Sequence, residues 1–188
     1  KHYTLSSVQV DADTPLKAGT PGYQELLWHV SLSKDCHVFM NHPGTAADAG
    51  IGRPGYWYGN GCLPQIAQQD TTVFALYDIP SEHPISFTHA HWPADIFDET
   101  VENDEGWHLG RHGDGFVGLW CSAPLESVND ILADRDLVAS TRKVAWICHV
   151  SDTSETPDME AFRVSCLSAA PKFDSTRKSL SWDNRQIL

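Results

Sequence analysis

No apolar run in this sequence approaches the roughly 20 residues that a membrane helix needs, and no basic segment leads into a short apolar one. Neither a membrane partner nor a signal peptide is therefore expected. Positive charge is scarce: 13 lysines and arginines stand against 25 aspartates and glutamates, leaving a net charge of −12. Binding to nucleic acid or to an anionic bilayer relies on clustered lysine and arginine, so the expectation is no nucleic-acid partner. Cysteine is sparse and unpatterned, with five residues, an odd number, and no CxxC. Cys36, Cys121 and Cys148 lie within apolar strand-like runs, where a thiol behaves as a small buried hydrophobe. Reduced core thiols are expected, and one or two disulfides of an exported protein are the alternative. Familiar catalytic fingerprints are missing as well. The chain has no P-loop, no glycine-rich dinucleotide motif, no GxSxG elbow and no EF-hand spacing.

Short strand patterns separated by turns are what the sequence does contain. Residues 25–32 alternate, with Leu26, Trp28, Val30 and Leu32 on one side and Leu27, His29 and Ser31 on the other. Residues 36–41 follow after a turn of hairpin length, so these two segments are expected to pair antiparallel. TTVFALYDI (71–79) and KVAWICHV (143–150) are apolar on both faces, as strands covered on both sides are. Further strands are expected at 2–10, 85–92, 106–109, 115–121 and just before 143. One helix is expected late in the chain. Thr156 caps it, Pro157 takes the first position, and Met159, Phe162 and Cys166 form its apolar stripe. The fold class is all-β: an antiparallel, supersandwich-like β-sandwich with one helix near the C-terminus, in a single 188-residue domain.

Chemistry-bearing residues concentrate in Phe87–Cys121, which holds His89, His91, His108 and His112, three tryptophans, and six carboxylates between Asp95 and Glu105. His89 and His91 are two apart, so on a strand they share a face. That is one side of a divalent-metal site, zinc or calcium, with Asp95 as a third ligand or with Asp98, His108 or His112 in that place. The competing structural reading packs one histidine against Trp92 and leaves the other in solvent. The acidic run reads as a solvated hairpin loop. Upstream, Arg53, Trp57 and Asn60 in RPGYWYGNG combine a cation, an aromatic face and an amide, a set suited to holding a sugar. The same segment also reads as a core strand with Trp57 buried between Tyr56 and Tyr58.

Taken in order, PGYQELLWHVSL, VFMNHPG, RPGYWYGNGCLPQIAQ, FTHAHWPADIFDE, GWHLGRHGDGFVGLW and VAWICHV, followed by an acidic helix, resemble the β-sandwich region of heparinase II/III-like proteins. The resemblance spans roughly residues 21–174. It implies a polysaccharide partner, an upstream α/α-toroid carrying most of a lyase site, and β-elimination at a uronic acid. On that reading His89 and Tyr58 contribute to catalysis, while Arg53, Trp57 and Asn60 touch sugar. The toroid is not in this sequence. A start at Lys1 rather than at methionine fits a product of processing or of cutting from a longer chain, and a secreted or periplasmic location is expected. Two alternatives stand beside it. One is a self-contained cupin-like metal-binding β-barrel, since HAH followed by Asp95 loosely resembles a cupin's first motif, although the second motif is missing. The other is a non-catalytic carbohydrate-binding or structural module.

Overall fold

The computed structural model describes residues 2–10, 26–44, 55–58, 60–127 and 135–187. Two six-stranded antiparallel sheets face one another, as the β-sandwich expectation requires. Sheet A has the order β1 (Thr4–Ser7), β2 (Trp28–Ser31), β3 (His37–Asn41), β6 (Thr88–His91), β11 (Asp136–Ala139) and β10 (Glu126–Ser127). Sheet B has the order β4 (Gln65–Gln69), β5 (Thr72–Asp78), β12 (Lys143–Asp152), β9 (Gly115–Cys121), β8 (Trp107–His112) and β7 (Glu99–Asp104). A third sheet, C, is a meander of β13 (Lys172–Asp174), β14 (Ser179–Trp182) and β15 (Arg185–Ile187). No helix among the described residues is long and apolar enough to cross a membrane.

Period-two patterning explains the layering. Along β12, Val144, Trp146, Cys148 and Val150 point into the core between sheets A and B, where Trp28, Val30, Met40 and Trp92 meet them. The alternate residues Ala145 and Ile147 point the other way, into a second core. That second core is covered by α2 (Met159–Leu167), through Met159, Phe162 and Cys166, and by Leu180, Trp182 and Ile187 of sheet C. Strands β5 and β12 are therefore apolar on both faces because sheet B is the middle of three layers. At Gly118 of β9, an added Cβ would sit 3.2 Å from the Cys166 sulfur and equally close to Leu109 and Trp107, so α2 packs onto bare backbone there.

Several expectations need correction. The helix cap is Asp158, not Thr156; its carboxylate accepts from the Ala161 N–H at 2.8 Å, satisfying an otherwise unpaired first-turn donor. The acidic run is only partly loop: Asp95 and Asp98 lie in the turns before β7 (Glu99–Asp104), and Glu105 lies in the hairpin turn after it. Glu99, Glu102 and Asp104 lie in β7, an edge strand of sheet B, and like charges along an open edge discourage pairing with another chain. Beyond these expectations, the polar C-terminal stretch forms sheet C, whose tight β14–β15 turn has Asp183 and Asn184 in the left-handed region at φ 47° and 60°. Tyr56 and Trp57 belong to a short helix, α1 (Gly55–Tyr58), rather than to a strand. All five cysteines are free, and burial pushes the thiols of Cys36, Cys121 and Cys166 up to about 12.

Candidate functional site on the outer face of sheet A

The face of sheet A turned away from the sandwich core carries histidines and Phe39 where the inner face carries Trp28, Val30, Val38 and Met40. Strand register builds it. Ser6 pairs with His29, His29 with Phe39, Phe39 with His91, and His91 with Asp136, giving one row across five strands. Asn41 pairs with His89, and Ser31 with His37, in the flanking rows. Four histidines, His29, His37, His89 and His91, thus share one face. The two-residue spacing of His89 and His91 does place both there, as strand geometry demands.

His89 is fully buried at 0% exposure. Its Nε2 lies 2.8 Å from the Tyr56 carbonyl, which only accepts, so Nε2 carries a hydrogen. Its Nδ1 lies 3.0 Å from Asp136 Oδ1, and the Tyr56 hydroxyl donates to Asp136 Oδ2 at 2.5 Å. The Trp57 ring stacks on the imidazole at 4.7 Å and 30°, and the Tyr56 ring lies 4.2 Å away. Asn41 donates to the Trp57 carbonyl at 2.8 Å, fixing the end of α1 to β3. The result is a closed network holding α1 down on sheet A. Both His89 nitrogens are taken up within it, and the imidazole links α1, β6 and β11.

His91 is arranged differently. Its Nδ1 donates to the His37 carbonyl at 2.9 Å, while its Nε2 has no hydrogen-bond partner among the described residues. Its ring stacks on Phe39 at 4.9 Å and 7° and meets the Trp57 edge at 5.4 Å. Burial is the main influence that lowers its pKa below the usual histidine range, so the neutral ring offers a lone pair at Nε2. His29 is lowered by burial and then by neighbouring His37, with its Nδ1 held by the Ser6 hydroxyl at 2.9 Å. His37 is committed on both sides, to the Ser31 hydroxyl at 2.8 Å and the Lys34 carbonyl at 2.9 Å. His91 Nε2 is thus a lone-pair acceptor for a proton or a hydroxyl hydrogen, set beside the buried rings of Phe39 and Trp57.

The expected ligand set of His89, His91 and Asp95 does not assemble. The Asp95 carboxylate forms a two-pronged pair with Arg135, at 2.8 and 2.5 Å, which holds its pKa below the usual carboxylate range. The other residues considered for closing such a site belong to the other sheet or are occupied. His112 Nδ1 donates to the Ile96 carbonyl at 3.0 Å, and Asp98 accepts from the Gly113 N–H at 2.6 Å. His108 lies in β8 against Trp92, its ring centroid 6.1 Å from that indole. No group of three His, Cys, Asp or Glu side chains among the described residues converges as a metal site.

Of the sugar-contact candidates, Trp57 is only 7% exposed and spends its ring faces on protein, so it offers no open stacking platform. Asn60 is buried. Arg53 lies outside the described residues, and so does the side chain of Tyr58, which closes α1. Asp136, Phe39, His29 and Asn41 went unnoticed because their importance comes from cross-strand register, which a single strand's pattern does not carry. Against known protein families, curated proteins and solved structures, the chain has no match.

Proposed function

We propose that this chain is the β-sandwich region of a carbohydrate-active, polysaccharide-lyase-like protein, whose sheet A outer face braces an α/α-toroid and lines a uronate-polysaccharide cleft. One observation carries this reading. Three of the phrases behind the resemblance, VFMNHPG, RPGYWYGNG and FTHAHWP, lie far apart in sequence yet meet in one cluster, through Phe39 and Asn41, Tyr56 and Trp57, and His89 and His91. Tight fixing of a polar–aromatic cluster is what a preorganised binding wall needs, because ordering it in advance lowers the entropy lost on binding.

Within that role His91 is the residue with free capacity. A neutral imidazole lone pair accepts a sugar hydroxyl hydrogen, or takes a proton in acid–base work. His89, Asp136 and Tyr56 hold α1 in place behind it. The toroid supplies the rest of the elimination machinery, so the 188-residue chain by itself is catalytically incomplete. The test is an absorbance assay for the double bond that β-elimination creates in a uronate polymer. The natural protein is expected to raise the absorbance, and this chain alone is expected not to. No rise with the natural protein across alginate, polygalacturonate and glycosaminoglycans would end the lyase reading.

A further inference from the structure

Far from the sheet A face, at the end of sheet B where β5 finishes and β12 begins, the turn between β13 and β14 folds over a pocket of about 150 Å³. Two lysines and one aspartate line it. Lys178 Nζ lies 2.9 Å from Asp78 Oδ2, and Lys143 Nζ lies 3.9 Å from Asp78 Oδ1. Neither ammonium has another ion-pair partner among the described residues, so the trio carries one positive charge in excess. In a chain with net charge −12, that local sign runs against the whole.

The rest of the lining is complementary in kind. Phe173 and Leu76 supply an apolar wall, while Gln65 and Ser175 supply neutral hydrogen-bonding groups. Size narrows the ligand further, since a cavity of ~150 Å³ accommodates a single benzene-sized ring. A six-membered ring fills the apolar part, and one carboxylate answers the excess charge through ammonium donors that Asp78 leaves unused. We infer that this pocket binds a monoanionic six-membered-ring carboxylate. The inference is independent of the proposed role of sheet A, because the pocket shares no residue with that face.

A ligand of about a dozen non-hydrogen atoms at ordinary efficiency binds such an open site with a Kd of ~1 mM. The test is an amide chemical-shift titration of the 188-residue chain with benzoate, glucuronate, glucose and inorganic phosphate in separate arms. At least one of the two acids is expected to saturate near 1 mM, with shifts confined to Gln65, Lys143, Phe173, Ser175 and Lys178. Benzoate alone saturating assigns an aromatic acid, glucuronate alone a sugar acid, and both the shared ring-carboxylate chemistry. Glucose is expected to leave these amides unmoved. The double variant Lys143→Met/Lys178→Met, altering side chains 56% exposed, is expected to weaken binding about tenfold with the rest of the spectrum unchanged. Failure of both acids to saturate, equal shifts from phosphate or glucose, or unchanged affinity in the double variant each overturns the inference.

Discussion

Mild acid is expected to destabilise this protein through its buried histidines, His42 and His149 most of all, with smaller contributions of the same sign from His29, His91 and His108. His42 is fully buried beside the edge of His83, and His149 is stacked against Phe162 at 5.7 Å. Burial is the main cause that pushes each from 6.5 down to about 4; His83 and His89 act the same way on His42, and Arg185 does so on His149. Between those values the unfolded chain binds protons that the native chain refuses, so stability falls as pH drops from 6.5 toward 4. The gap of ~2.5 pH units corresponds to roughly 3 kcal/mol per histidine at its limit, and about 2.5 kcal/mol of that is already lost at pH 4.5. The aspartates held low, Asp95, Asp152 and Asp174, begin to lose their contribution only below their ordinary 3.8, outside this window, and the exposed Glu82 begins at its ordinary 4.5, at the window's acid end. Urea unfolding followed by tryptophan fluorescence at pH 7 and pH 4.5 should therefore show a loss of at least about 5 kcal/mol, most of it from this pair, out of a typical total of 5–15. His149→Gln, which keeps a polar group near the Thr72 hydroxyl now 3.0 Å from the imidazole, should reduce that loss by about 2.5 kcal/mol. Equal acid losses in His149→Gln and the parent would refute the reasoning.

Four further outcomes follow from the packing and from the hydrogen bonds around His89. Phe162→Ala empties the space between Phe116 and His149 in the second core and should cost ~3–5 kcal/mol in urea unfolding. Gly118→Val puts a side chain where Cys166, Leu109 and Trp107 already stand 3.2 Å away; overpacking should cost about 1–3 kcal/mol and displace α2, seen as shifted amide resonances of residues 159–167. Asp136→Ala leaves His89 buried without its carboxylate and should cost roughly 3–5 kcal/mol, whereas Tyr56→Phe removes one hydrogen bond to that carboxylate and should cost about 1.5–3 kcal/mol.

Much of the sandwich was legible because binary pattern reports burial directly. TTVFALYDI and KVAWICHV read as strands covered on both faces, and both are middle-layer strands of sheet B. What covers their second face was only half legible. The stripe of Met159, Phe162 and Cys166 announced α2, but sheet C is made of three- and four-residue strands too short to show a period. Its best local signal was Asp183-Asn184, residue types that tolerate the left-handed region of a tight hairpin turn. The acidic strand β7 misled because charge on a solvent-facing edge looks like charge in a loop. For the candidate site, His89 and His91 stood out by spacing. Their different fates did not, because Asp136 of β11 and the Tyr56 carbonyl reach His89 from 47 and 33 residues away. Long-range register decided which imidazole is sealed and which keeps a nitrogen free.

The most direct test of the account is an NMR titration of this chain with a uronate oligosaccharide, observing the histidine ring resonances. Saturable shifts are expected at His91 and at neighbouring residues of the sheet A face, with the His89 ring held as it is in the free protein. Saturation of the oligosaccharide without any change at His91 would contradict it.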